Sequence, residues 1–466
     1  MKNIQIIILF LLTTTSVYSQ RIISGTITSS NNDIPIANVN ISFQNVNLGT
    51  ISNSNGGFEI ITPNDPKYSV LVFSYIGYKN YYLRIDSLKK FTNLKLKLEP
   101  QIIQLDAILL EERKEYNADE VIDFAINNMK NNLITNPYIA EGFLRHTEKS
   151  SNQVKWLIEA AISVYDEGYL TDTNNIQISI DELRKSIDNR DLDSTYLYTK
   201  YLTTNKGFRF KKALKSAQRK DYSDLEFTKA LNYLDNQKSS LELLLKSNQN
   251  LIRYAYEKNA ILDDDFKEKH TFKLDSMVTQ NDRFLYKIKI LPSSKNKRLN
   301  NLLKDNYLPI GWIYIYADNF AIKELTYSLI GSEKRRESMR IFTGTEILYT
   351  LNYKFKSYYD KMFLTYISKT EPKIIGTEAT ENYLENNLKD NFNLTKQEIL
   401  FSNYVTNEDV IETKMKSSKN NGLFEKRPYN AEFWKNYNIL LETEEEAKMI
   451  KDLEKKMSLK EQFEKN

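Results

Sequence analysis

Between residues 21 and 99 apolar and polar side chains alternate in a two-residue rhythm. The segments IISGTIT, ANVNISFQNV, GTISNS, GFEIIT, SVLVFSYI and NYYLRI each turn one side inward and the other to water, with turn-forming residues in the gaps. The rhythm predicts an all-β unit over 21–100. It breaks in EPQIIQLDAILLEERKE, which starts apolar, as an added edge strand does, and ends as a charged linker. In NADEVIDFAINNMKNNL the period lengthens to that of a helix. Asn117 caps it, Glu120 completes a capping box, and Val121, Ala125, Met129 and Leu133 form the buried stripe. Linker and helix fill 101–135.

Alternation returns in YIAEGFLRHTEK and VKWLIEAAISVYDEG. From Phe208 to Leu291 there is neither Gly nor Pro, and SDLEFTKALNYLDNQKSSLELLLKSNQNLIRYAYEKN reads as one or two helices. These form an insertion over about 181–260 within a β domain covering 136–410. Strands resume in HTFKLDSMVTQ, DRFLYKIKIL, GWIYIYADNFAIKELTYSLI, TEILYTLNYKFKSYYDKMFLTYISKTEPK and KQEILFSNYVTN. Tyr286, Ile288 and Ile290 share one face of their strand, Lys287 and Lys289 the other. Such a pattern predicts an antiparallel sheet with one apolar and one wet face, curved and open, with helices against its concave side. The tail, 411–466, runs extended, docks through Trp434, and ends in a helix capped near Thr443 with Met449, Ile450, Leu453 and Met457 on one face. The expected fold class is mainly β with α (α+β): a sandwich, a curved antiparallel sheet with a helical insertion, and a C-terminal helix.

Glycines sharpen the first unit. Of 13 in the chain, Gly25, Gly49, Gly56, Gly57 and Gly77 fall within it. SNSNGGF predicts a tight hairpin with Asn55 and Gly56 at its tip, a bulge at Gly57, and Phe58 turned inward. A phosphate-cradling loop fits poorly, because no Lys-Ser/Thr pair or helix start follows. GTITSSNNDIPIANVNISFQNVNLGTISNSNGGFEIITP, with LVFSYIGYKNYYLRI after it, closely resembles the carboxypeptidase-regulatory-like domain of Bacteroidetes envelope proteins. Gly25, Pro35, Ala37, Val39, Gly49, Thr50, Gly57, Phe58, Ser74, Tyr75, Gly77 and Tyr78 carry the likeness, with Gly56 beside them in the turn. Asn53 departs from it, standing where the family usually has Asp. The resemblance implies a transthyretin-like β-sandwich of about seven strands that serves as an accessory module and carries no catalytic residues. In the sheet domain, PIGWIYIYADNFAIKELTY resembles a hairpin of large Bacteroidetes outer-membrane proteins that also follow such a sandwich, and is similar to the half-barrels of lipoprotein carriers. Both imply an apolar cavity for a lipid chain or partner segment.

Charge and chemistry narrow the function classes. The formal charge of +4 arises from 65 basic and 61 acidic residues, too even for a nucleic-acid partner, which calls for a concentrated basic face. MKNIQIIILFLLTTTSVYSQ has the three-part layout of a secretory signal peptide over 1–20, its apolar run too short to span a bilayer. The chain is therefore expected to be exported, periplasmic or outer-membrane associated, with peripheral membrane contact. There is no cysteine, so disulfides, thiolate metal sites and cysteine nucleophiles are excluded. A zinc carboxypeptidase centre needs two imidazoles and a carboxylate. The two histidines, His146 and His270, are followed by TEK and TFK, and neither begins a His-x-x-Glu pair. No Gly-x-Ser-x-Gly elbow occurs. Asp263, Asp264 and Asp265 lack the spaced ligands and Gly turn of a calcium loop and read as solvated. The 31 tyrosines and 22 phenylalanines are ordinary strand formers, with sugar-stacking platforms and membrane girdles as the alternatives.

No catalytic, cofactor-binding or metal-binding residue is thus expected. The predicted function is a non-enzymatic envelope binding or scaffold protein that takes a hydrophobic ligand, such as an acyl chain, or an outer-membrane partner. An integral outer-membrane β-barrel is the alternative, followed by an envelope hydrolase. Titratable side chains converging on an open cleft would be the structural sign of the last.

Overall fold

A computed structural model describes residues 21–44, 46, 48–63, 65–101, 116–150, 153–172, 175–190, 194–220, 241–246, 250, 270–280, 283–293, 307–331, 347–358, 360–373, 393–417 and 422–465. The expected leader, the edge strand and linker over 102–115, and Asp263, Asp264 and Asp265 lie outside them. The N-terminal alternation forms β1 (Arg21–Ser29), β2 (Asn40–Phe43), β3 (Gly49–Ile51), β4 (Gly57–Thr62), β5 (Val70–Ser74), β6 (Tyr81–Arg84) and β7 (Leu94–Leu98). These make two sheets, ordered β4-β1-β7 and β3-β2-β5-β6. Ile23, Ile27, Ile41, Phe43, Phe58, Ile60, Leu71 and Phe73, all fully buried, fill the space between.

SNSNGGF is not a hairpin. β3 and β4 belong to different sheets, so the segment is the corner where the chain crosses the sandwich. Gly56, not Asn55, takes the left-handed conformation (φ +72°). Gly57 pairs with Thr26 in unbroken register, without the expected bulge.

Helix α1 (Ala118–Asn132) carries the Asn117–Glu120 capping box, and Val121, Ala125 and Met129 are buried. Leu133 caps its C-terminal end. Next come β8 (Tyr138–Ser150), β9 (Gln153–Asp166) and β10 (Gln177–Lys185), then α2 (Ser194–Lys206), α3 (Phe210–Gln218) and α4 (Leu241–Lys246). The remaining strands are β11 (His270–Gln280), β12 (Arg283–Pro292), β13 (Tyr307–Tyr316), β14 (Ile322–Gly331), β15 (Ile347–Tyr358), β16 (Lys361–Lys373) and β17 (Asn393–Val405). One antiparallel sheet of ten strands results, ordered β10-β9-β8-β17-β16-β15-β14-β13-β12-β11. Consecutive strands β10 and β11 lie at its opposite edges. The chain between them must cross about 43 Å, nine spacings of about 4.8 Å, which explains why the helical insertion sits there.

Strand β10 corrects the expected start of that insertion, which begins after Lys185 rather than near 181. A bulge between Ile180 and Glu182 breaks the alternation, so DELRK loses its strand signature. At the far boundary, β17 ends at Val405 and α5 (Glu408–Ser417) follows, so position 410 lies within a helix.

The two faces divide as the alternation requires. Ile158, Ile162, Ile288, Ile313, Leu325, Tyr353, Ile367 and Ile399 line one face and form a single core with α1 and α4. The other face carries polar and charged residues, on which the sandwich and tail sit. The tail contains α6 (Ala431–Lys435), α7 (Glu444–Lys451) and α8 (Leu459–Lys465). Thr443 caps α7 through a box with Glu446, and Ile450 and Leu453 bury against Val154 and Leu157 of β9. The expected single helix is two: a 3-10 turn, Asp452–Lys455, ends the first, and Ser458 with Glu461 caps the second.

Candidate functional site

The turn at residues 53–56 also builds the junction with the sheet. Asn53 Oδ1 accepts from the backbone N–H of Asn55 (3.0 Å) and Gly57 (2.8 Å), which fixes the corner. Its Nδ2 donates to the Glu442 carbonyl of the tail at 2.8 Å. Nearby, Asn438 Oδ1 accepts from Ile61 N at 2.7 Å. On the other flank Gln280 Nε2 donates to Ser74 Oγ (2.8 Å) and Gly77 N to the Thr279 carbonyl (2.8 Å). Gly77 holds φ +82°, which presents its N–H to β11. Ile51 of the sandwich then joins Phe143, Tyr366, Leu400, Trp434 and Leu440 in one apolar cluster. An Asp at position 53 retains both turn contacts and loses the donor to the tail. Asn53→Asp is expected to cost about 1–3 kcal/mol, and Asn53→Ala more, as read by chemical denaturation.

Between these attachments lies a cleft of about 610 Å³, walled by the sandwich (Asn38, Ser52, Asn53, Tyr75), the sheet and the tail (Leu441, Thr443, Glu446). On its floor Thr326 Oγ1 donates to Asn352 Oδ1 (3.0 Å), and Asn352 Nδ2 to Ser368 Oγ (3.1 Å), a polar ladder across three strands. Trp312 stands at one side with the ammonium groups of Lys287 and Lys289 at 4.3 and 5.6 Å from its ring centre. Lys287 also pairs with Asp275 at 3.0 Å.

Titratable groups do converge here, and they are engaged with one another. Lys396 pairs with Glu398 (2.9 Å) and Glu446 (3.6 Å), while Tyr366 donates to Glu398 at 2.8 Å. Glu324 lies 4.0 Å from Lys354. Burial, reinforced by Glu324 and Tyr75, pushes the Tyr314 hydroxyl up to about 12. Burial holds the Lys354 ammonium below its usual range against the pull of Glu324. Behind the cleft, Glu159 accepts from Arg145 (2.7 Å) and Arg184 (2.5 Å), and Arg145 reaches the Leu440 carbonyl (3.0 Å) and Glu442 (3.4 Å). A larger cavity of about 870 Å³ lies beside β10, but its carboxylates are held locally: Asp181 by Ser163, Glu182 by Asn430, and Glu141 by Lys414 and Asn403.

The histidines are far apart. His146 is in β8 and His270 in β11, seven strand spacings apart, about 34 Å measured along the sheet. His146 is fully buried with Nε2 at 3.3 Å from Glu148, and His270 contacts the Tyr327 hydroxyl at 2.9 Å. Both are strand residues on a sheet face, as expected. Among the described residues no cluster of three His, Asp or Glu side chains is placed to hold a metal.

Residues 23–110 match the model of the CarboxypepD_reg-like domain. The N-terminal sandwich is a CarboxypepD_reg-like domain. Within this domain, the likeness residues act as backbone spacers and core. A Cβ on Gly25 would stand 2.3 Å from the Leu94 carbonyl oxygen, one on Gly49 2.5 Å from that of Ile41, and one on Gly56 2.3 Å from that of Ile27. Pro35 bridges to Thr28, Phe58 fills the core, and Tyr75 packs on Tyr78 with ring centres 5.7 Å apart. Ser74, Tyr75 and Gly77 also face the sheet.

No curated protein matches the chain. Among solved structures it is similar to a putative outer membrane lipoprotein-sorting protein domain from Vibrio parahaemolyticus (11% identity, 64% of this chain and 99% of that one, TM-score 0.22). It is also similar to a LolA superfamily protein from Nitrosomonas europaea (9%, 64% and 97%, TM-score 0.20) and a DUF1329 family protein from Desulfovibrio piger (7%, 63% and 95%, TM-score 0.22). At these scores the likenesses lend no weight to a reading of function.

Proposed function

We propose that the protein is a non-enzymatic binding protein of the cell envelope, and that its ligand enters the cleft between the CarboxypepD_reg-like domain and the ten-strand sheet. One observation carries the reading: domain, sheet and tail each supply a wall of that cleft. Its lining favours a hydroxyl-rich ligand such as a sugar chain, with Trp312 as a stacking face and the Thr326–Asn352–Ser368 ladder as hydrogen-bond partners. A hydrolase needs a carboxylate at liberty to move a proton. Glu398 and Glu446 instead share Lys396, and Glu446 also holds the Thr443 N–H. A membrane barrel closes on itself, whereas β10 and β11 do not pair among the described residues. No helix of the described residues is long and apolar enough to cross a membrane.

The chain has three tryptophans, of which Trp156 and Trp434 are buried, so Trp312 is a natural reporter. Titration with soluble envelope glycan fragments is expected to give a saturable fluorescence change, lost in Trp312→Phe. A second reading, an acyl chain on the apolar face, draws on the helices α1 and α4 packed there. Flat glycan titrations together with acyl chains in native mass spectra would favour it over the cleft.

A further inference from the structure

On the far flank of the same junction lies a cavity of about 650 Å³ that shares no lining residue with the cleft. Ser42 and Tyr82 reach it from the sandwich, and Arg283, Tyr316, Lys323 and Lys356 from the sheet. No carboxylate lines it. The register between β13 and β14 slips, Tyr314 pairing with Glu324 but Ile315 with Ile322, which leaves Lys323 as the extra residue of a bulge. A bulge re-aims a side chain, and this one sends an ammonium group into the junction. Lys323 is only 6% exposed and donates to the Phe355 carbonyl. Lys356 Nζ donates to Ser42 Oγ at 2.7 Å.

Neither lysine has an ion-pair partner among the described residues. The charged groups around them are accounted for elsewhere: Arg283 pairs with Asp318 at 2.6 Å, and Glu324 lies toward Lys354 at 4.0 Å. Burial pushes Lys323 down to about 8, with Lys354 and Arg283 adding to it and Glu324 opposing. Burial and the Lys323 charge do the same to Lys356, also to about 8. Two neighbouring ammonium groups, one buried and one half-buried, are costly without a counter-charge. Charge-assisted hydrogen bonds to an anion offset that cost.

We propose that this cavity binds an oxyanion of the phosphate type, with Lys323 and Lys356 as its cationic donors. The site is separate from the glycan cleft and stands or falls independently of it. The anion is either a soluble phosphate or the headgroup of a lipid, and the test separates the two. Thermal unfolding of the full chain is followed in inorganic phosphate and in chloride at matched ionic strength. Phosphate is expected to raise the midpoint beyond chloride. Calorimetric affinity should fall about tenfold or more in Lys323→Met and in Lys356→Met, the loss of one charge-assisted bond each. Without ligand, Lys323→Met should melt no lower than the parent, because it removes a buried unpaired charge; if it fails to fold, the half-buried Lys356→Met carries the test. Co-sedimentation with phosphatidylglycerol but not phosphatidylcholine vesicles, competed by free phosphate, assigns the anion to a lipid. A phosphate response without vesicle binding assigns it to a soluble ligand. Equal midpoints in phosphate and chloride, or variants that keep the parent affinity, overturn the proposal.

Discussion

Replacing Glu159 by Ala is expected to cost about 3–5 kcal/mol of stability, because it leaves a buried guanidinium without its counter-charge. Glu159 and Arg145 are 2% and 4% exposed, and Arg184 presses on the same carboxylate. Burial drives the Glu159 carboxyl up, but Arg145 and Arg184 together outweigh it and hold it below its usual 4.5. With the folded value depressed, the contribution is complete above the unfolded value and disappears as pH falls through the folded one. Urea midpoints should therefore fall on the acid side, below about pH 4.5, for the parent chain, and much of that pH dependence should vanish in Glu159→Ala. Midpoints unchanged in the variant at neutral pH would mean that the charge cluster contributes nothing to the fold.

Trp434→Ala is the second large effect, again about 3–5 kcal/mol, the usual cost of emptying a buried aromatic site. Its ring meets Phe143 of β8 at 6.4 Å and carries the Arg184 guanidinium at 4.3 Å. It also belongs to the cluster that includes Ile51 of the sandwich and Leu440 of the tail. Loss of the ring should do more than lower stability. It should raise hydrogen exchange together at the β3 and tail amides, since both lean on the same cluster. A rise confined to the tail would separate the sandwich from this anchor.

Much of this fold was legible where a signal is local. The Asn117–Glu120 and Thr443–Glu446 capping boxes marked their helices, and the Ile288/Lys287 alternation marked the faces of β12. Ser458-x-x-Glu461 is an equally plain cap signature for the last helix. Strand β10 was hidden by its bulge, which shifts the side-chain phase midway. The corner at Gly56 read as a hairpin because local turn chemistry does not say which strand pairs with which.

The cleft was beyond the sequence for a different reason. Asn53 stood out as a departure, but its meaning lies in a carbonyl at Glu442, far along the chain. Trp312 becomes a flanked platform only once Lys289 pairs opposite it across β12 and β13. The buried Lys323 of the far flank likewise depends on a register slip that no periodicity reveals.

The claim beneath all of this is that sandwich, sheet and tail form one rigid body with the cleft built into it. A chain without cysteine accepts two introduced ones cleanly. Spin labels at Lys95→Cys on β7 and Lys273→Cys on β11, both exposed positions, report the distance between the modules by pulsed electron resonance. One narrow distance population is predicted. A broad distribution, as a freely tethered domain gives, would contradict it.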